Sequence, residues 1–127
     1  LKGVALRVQG WGTALGDRLM VQRALSNLLS NAIRHSPEGE PVDLHIQRTG
    51  NEIRLSVQNR GPGIAAAEQP QLFQRFYRVG SGRSRLEGGT GLGLAIVKSI
   101  MQLHGGRVEV TSSPLGPTRF TLVFPAE

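Results

Sequence analysis

The sequence predicts an α/β (α+β) two-layer sandwich, in which a mixed, mainly antiparallel five-stranded sheet is covered on one face by three helices. Three observations carry this prediction. Two long segments repeat apolar residues at helical spacing, five short segments alternate with period two, and their order along the chain is β-α-β-β-α-loop-α-β-β. A length of 127 residues with 39% hydrophobic content suits a single domain, residues 1–127, built on one core.

The elements follow in order. Val4, Leu6 and Val8 alternate with Ala5 and Arg7, a short strand that Gly10 and Gly12 interrupt. Asp17 is a suitable N-cap for a helix running to about His35. Val21, Ala24, Leu25, Leu28, Leu29, Ala32 and Ile33 form its apolar stripe, and Pro37 and Gly39 close it. Val42, Leu44 and Ile46 form one strand and Ile53, Leu55 and Val57 the next. Gly50-Asn51 between them fits a two-residue hairpin turn, so the pair should be antiparallel. Gly61-Pro62-Gly63 makes a tight turn, and a short helix is expected within Ala65 to Phe76. Tyr77 to Thr90 shows no period, only a glycine-, serine- and arginine-rich stretch of about 14 residues, long enough for a functional loop. Leu92 to His104 reads as the second long helix, with Leu92, Ala95, Ile96, Ile100 and Leu103 inside and Gly105-Gly106 at its C-terminus. Val108 and Val110, then Phe120, Leu122 and Phe124, give the closing strands. Gln47, Arg54, Gln58, Arg107 and Glu109 alternate outward, consistent with a second sheet face that is partly exposed.

Composition narrows the chemistry. With no cysteine there is no disulfide and no thiolate, whether nucleophile or metal ligand. No apolar run has the length of a membrane span, and no signal peptide opens the sequence. The net charge is +6, and every base but Lys2 and Lys98 is arginine. Arg75, Arg78, Arg83 and Arg85 crowd together with no acid before Glu87, a pattern suited to phosphate oxygens.

Three patterns carry chemistry. On the first helix Asn27, Asn31 and Arg34 fall within about 60° of one another, on a stripe roughly 150° from the apolar one. Amide oxygens are hard donors for Mg²⁺, and a guanidinium suits phosphate. Asn59-Arg60-Gly61-Pro62-Gly63 follows a strand, and its glycines let a flat ligand approach the backbone. Gly88-Gly89-Thr90-Gly91-Leu92-Gly93-Leu94 opens a helix, where free N–H groups and the helix dipole favour an anion. It matches neither the P-loop nor the dinucleotide-binding glycine pattern.

Together, and in this order, the motifs resemble those of sensor histidine kinases. Asn27 to Pro37 is similar to the N box, Asn59 to Gly63 to the G1 box, Leu72 to Arg78 to the F box and Gly89 to Leu94 to the G2 box. Leu103-His104-Gly105-Gly106 and Gly116-Pro117-Thr118-Arg119-Phe120 also look familial, so the resemblance covers nearly the whole chain. It implies the Bergerat ATP-binding fold, ATP and Mg²⁺ as cofactors, and transfer of the γ-phosphoryl group to a histidine. By position, Asn31 would ligate Mg²⁺, Asn27 would support the metal and phosphates, and Arg34 would contact a phosphate. His35 would lie beside adenine, and Asn59, Gly61 and Gly63 would form the base pocket. Residues 77–90 would be the ATP lid, with Gly89, Gly91 and Gly93 as its hinge and phosphate floor. Ile64, Phe76, Arg78, Thr90, Leu92, Leu94 and Thr118 complete the implied ATP site. The resemblance also implies a dimerisation and histidine-phosphotransfer domain elsewhere, a response regulator as partner, and a membrane-bound homodimer. This domain would then be cytoplasmic, part of an inner-membrane sensor, and monomeric as a fragment.

Two departures add information. The family has Asp where this chain has Asn59, which weakens the expected bond to the adenine amino group; Asn59 and the Phe76-Tyr77-Arg78 run resemble copper- and silver-responsive sensors. Members of the fold that hydrolyse ATP carry Glu four residues before the metal-binding Asn, where this chain has Asn27, so water should not be activated. None of His35, His45 and His104 has the sequence context of the family's acceptor histidine. One alternative is a regulatory module with weak nucleotide affinity. A more distant one is a basic nucleic-acid-binding domain, disfavoured because aromatics are only 5% of the chain.

Overall fold

The computed structural model describes residues 6–10, 14–75, 93–113 and 116–126, with the backbone alone for residues 6–9. The expectations placed on Val4, Phe76, residues 77–90, Gly91 and Leu92 lie outside the described residues.

Helix α1 runs Arg18–His35. Asp17 caps it with extended backbone and a carboxylate that accepts the Met20 N–H at 3.1 Å. Ser36 ends it, already extended, as expected of a residue preceding proline. The whole predicted apolar stripe joins the core: Ala24, Leu28 and Ala32 are buried, and Val21, Leu25, Leu29 and Ile33 pack against them. Burying one leucine such as Leu28 contributes roughly 1.5–3 kcal/mol.

Strands β1 (Leu6–Gln9), β2 (Val42–Thr49), β3 (Glu52–Asn59), β4 (Arg107–Thr111) and β5 (Thr118–Pro125) form one sheet in the order β1-β2-β3-β5-β4. Strand β1 pairs parallel with β2, and every other pairing is antiparallel. The β2–β3 hairpin turns through Gly50-Asn51, with Gly50 at φ +60°, a left-handed conformation that glycine adopts without strain. Helix α2 (Gly93–Leu103) lies beside α1.

The register sorts the sheet into two faces. Ile53 pairs with Phe124, Leu55 with Leu122 and Val57 with Phe120, all on the face that packs under the helices. At the end of this row stand Asn59 and Thr118, polar yet buried. The opposite face carries Gln47, Arg54, Gln58, Arg107 and Glu109, as the alternation predicts. There Arg54 and Arg107 flank Val123, which is buried although no helix covers it.

The four charged side chains around Val123 close into a ring. Arg54 and Arg107 each contact both Glu52 and Glu109, so each carboxylate oxygen has its own guanidinium partner. The Arg107 hydrogen bond, aided by Arg54, holds both carboxyls below the usual carboxylate range, and Glu52 in turn raises Arg107.

Two expectations need correction. The helix expected within Ala65–Phe76 is, over its described part, a series of tight turns with a single 3₁₀ turn at Gln69–Gln71. The bonds run three residues back, from Glu68 to Ala65 and from Leu72 to Gln69. Pro70 has no N–H to extend a helix, and the Gln69 side chain is engaged with Ile64. Three consecutive alanines favour a helix but offer no apolar stripe to anchor one. In α2, Leu103 is 73% exposed, not internal. The buried stripe is Val97, Ile100 and Met101, and Leu103 lies about 110° round from it.

Candidate functional site

Asn27 and Asn31 sit half-buried on α1, one turn apart, with Arg34 exposed beyond them. Arg34 Nη2 donates to Asn31 Oδ1 at 3.3 Å. Asn27 Nδ2 donates to the carbonyl of Gly93 at 3.4 Å, a long bond that ties the middle of α1 to the first residue of α2. The amide stripe therefore borders the start of α2. Leu94 packs against the core beside it.

The second half of the site is the loop after β3. Asn59 is 3% exposed, and its Nδ2 donates to the carbonyl of Arg60 at 2.8 Å. Its side-chain oxygen accepts from no side chain or backbone group among the described residues. Asn59 lies between Val42 on β2 and Thr118 on β5. Gly61 has φ +120°, and a Cβ there would lie 2.8 Å from the carbonyl of His35. The loop therefore passes directly against the C-terminus of α1. A Cβ on Gly63 would lie 1.4 Å from the carbonyl of Ser113, so only glycine fits. The next residue, Ile64, donates its N–H to Ser112 Oγ at 2.8 Å, and that hydroxyl also bonds Thr118 Oγ1 at 2.7 Å.

The structure thus joins His35, Asn59, Gly61, Gly63, Ile64 and Thr118 at one end of the sheet, and Asn27, Asn31, Arg34, Gly93 and Leu94 along α1 and the start of α2. Phe76, Arg78, Gly89, Thr90, Gly91 and Leu92 lie outside the described residues. Gln69 and Ser112 also hold the loop after β3, but no sequence pattern singles them out. Gln69 opens a single 3₁₀ turn and Ser112 follows a strand, and neither segment is long enough for spacing to carry a signal.

The donors suit one metal arrangement. No cluster of three or more His, Cys, Asp or Glu side chains exists among the described residues, so a metal cage of charged ligands is absent there. Asn31 instead offers a neutral hard oxygen. Mg²⁺ takes one or two protein ligands together with water and phosphate oxygens, so these residues fit an ion that arrives with a triphosphate.

The histidines are accounted for as well. His104 Nε2 accepts the N–H of Asp17 at 2.9 Å, and Nδ1 lies 2.8 Å from the carbonyl of Ile100. Both ring nitrogens are thus engaged in joining the end of α2 to the start of α1. His45 stands on the opposite sheet face, across from Ser56.

The sequence and the fold both resemble known proteins. The family described as histidine kinase-, DNA gyrase B-, and HSP90-like ATPase matches residues 16–127. Sensor histidine kinase CusS of Escherichia coli K12 is 48% identical over 126 residues, which is 98% of this chain and 26% of CusS. Sensor-like histidine kinase SenX3 of Mycobacterium tuberculosis H37Rv is 46% identical over 112 residues, 88% of this chain and 27% of SenX3. The chain spans about a quarter of the length of these relatives. Among solved structures, the mycobacterial sensor histidine kinase MprB superposes with a TM-score of 0.84 at 33% identity, covering 97% of this chain and 84% of that one. Full-length ShkA, solved in complex with AMPPNP, gives a TM-score of 0.78 at 29% identity over 96% of this chain and 25% of ShkA. The chain belongs to the histidine kinase-, DNA gyrase B- and HSP90-like ATPase family, as an ATP-binding domain of the sensor histidine kinase type.

Proposed function

We propose that this domain binds Mg-ATP and delivers the γ-phosphoryl group to a histidine on a separate helical dimerisation domain, in two-component signalling. The observation that supports it best is the meeting of the Asn27–Asn31–Arg34 stripe with the start of α2, beside the glycine loop that follows Asn59. The AMPPNP complex of the similar ShkA supports a nucleotide in this fold.

In this reading an imidazole nitrogen of the acceptor bonds to the γ-phosphorus. The bond from that phosphorus to the β–γ bridging oxygen breaks, ADP leaves with the electron pair, and the imidazole proton passes to solvent. Arg34 and the N–H groups opening α2 hold phosphate oxygens in line. Asn31 would hold a Mg²⁺ ion, which would neutralise charge on those oxygens. Asn27 cannot take a proton from water, so ATP persists until the acceptor docks. The full-length protein is proposed to be an inner-membrane homodimer with this domain in the cytoplasm, acting on a response regulator. The likeness to CusS supports placing it among metal-responsive sensors.

Asn59 gives the test. Its unengaged oxygen is a neutral acceptor for the adenine amino group. Replacing it by Asp adds charge to that bond, about 1.5–3 kcal/mol against about 1, so calorimetric titration of Asn59→Asp should show ATP binding about tenfold tighter. Unchanged affinity would remove Asn59 from the base pocket. The neutral acceptor also favours a second reading, a regulatory module that binds nucleotide weakly. Millimolar ATP affinity with no transfer to any acceptor would select it.

A further inference from the structure

We propose that Gln69 is a positioning residue for the nucleotide base, a role that rests on the ATP reading above. Its carboxamide Nδ-equivalent, Nε2, donates to two carbonyls at once, to Ile64 at 2.9 Å and to Ser112 at 3.2 Å. Ile64 ends the glycine loop, and Ser112 opens the connection from β4 to β5. Ser112 Oγ returns a bond to the Ile64 N–H and continues to Thr118, which pairs in register with Asn59. Both backbone groups of Ile64 are therefore held by this clasp.

The clasp lies where the loop has least freedom to relax. The Gly63 backbone presses on Ser113, and a Cβ on Gly116 would lie 2.3 Å from the carbonyl of Gly61. At these glycines the two segments approach backbone to backbone, with no room for a side chain between them. A small slip of the β4–β5 connection would shift Gly61 and Gly63, and with them the wall of the base pocket. Gln69 is half-buried and bonds both segments from a third, the turns that follow the loop. It sets the height of the loop relative to Asn59 and touches no part of the triphosphate site on α1.

This separation defines the experiment. Gln69→Glu keeps the shape but cannot donate, and Gln69→Leu removes both bonds; Ser112→Ala cuts the clasp from the other side. Each variant and the unaltered chain are titrated with ATP and with Mg-tripolyphosphate, which has no base, and melting is recorded without ligand. The expected result is ATP affinity reduced about 5- to 30-fold in all three, with tripolyphosphate affinity unchanged within twofold. Unchanged ATP affinity overturns the assignment. Equal losses for both ligands, or variants that do not fold, also overturn it, by making Gln69 a general stability residue. If the unaltered chain binds tripolyphosphate but not ATP, the ATP reading itself fails, whatever the variants do.

Discussion

The two faces of the sheet use polar residues in opposite ways. On the open face, Glu52, Arg54, Arg107 and Glu109 satisfy one another in a closed ring over Val123. Each carboxylate oxygen of the ring has its donor, so the ring offers a ligand little. On the helix-covered face, Asn59 and Thr118 interrupt an otherwise apolar row. Among the described residues Asn59 engages only its amide nitrogen, with the Arg60 carbonyl, and its oxygen, which is not sealed from solvent, stays open to a donor. In the proposed reading the adenine amino group is the donor that meets it. The ring is complete without a ligand, whereas the Asn59 oxygen is open to one.

Substitutions should separate the two faces, beginning with the largest effect. Asn31→Ala should lower transfer from Mg-ATP to a supplied acceptor domain about 100-fold, through loss of a metal-orienting oxygen worth several kcal/mol, while urea unfolding changes little. Leu28→Ala should show the reverse pattern, losing about 2–5 kcal/mol in urea unfolding while nucleotide affinity of the folded fraction stays unchanged. Asn59→Asp should divide its effects. Its new carboxylate oxygen faces the Arg60 carbonyl in place of an N–H, so the nucleotide-free domain should lose about 1–3 kcal/mol in denaturant even as ATP binds more tightly.

The smallest effect belongs to the open face and appears only in acid. Glu52 and Glu109 have their carboxyl pKa values lowered by the arginines. The sign follows from linkage: a lowered folded-state value contributes stability that is complete above the unfolded carboxylate range and is lost as pH falls through the lowered values. Denaturant midpoints of the unaltered chain should therefore decline below about pH 4.5. The Glu52→Gln, Glu109→Gln double variant should decline less steeply, and added salt should shrink the difference, because these groups are solvent-exposed. Its ATP affinity should match that of the unaltered chain.

Much of this could be read from the sequence, for identifiable reasons. The first helix has a cap at Asp17, an unbroken stripe and a stop at Pro37, so its limits and both its faces are encoded locally. The Gly50-Asn51 turn fixes the register of β2 and β3, which in turn assigns Arg54 and Gln58 to the open face. The amide stripe was visible because a helix converts spacing into direction. What stayed hidden depends on contacts distant in sequence. Ala65–Ala67 favour a helix, but Pro70 and the bonds of Gln69 to Ile64 and Ser112 override that local preference. Leu103 fits the apolar period loosely and is exposed because Val97 and Met101 already fill the inner side of α2. The clasp joins residues 43 positions apart in the chain, so no local pattern could announce it.

The most direct test of the central claim is to incubate the domain with Mg-ATP labelled at the γ-phosphate, with and without a separately produced dimerisation domain carrying its acceptor histidine. The account predicts label on the added domain alone and negligible release of free phosphate in its absence. Rapid Mg-dependent phosphate release by this domain alone, or label on one of its own histidines, would contradict it.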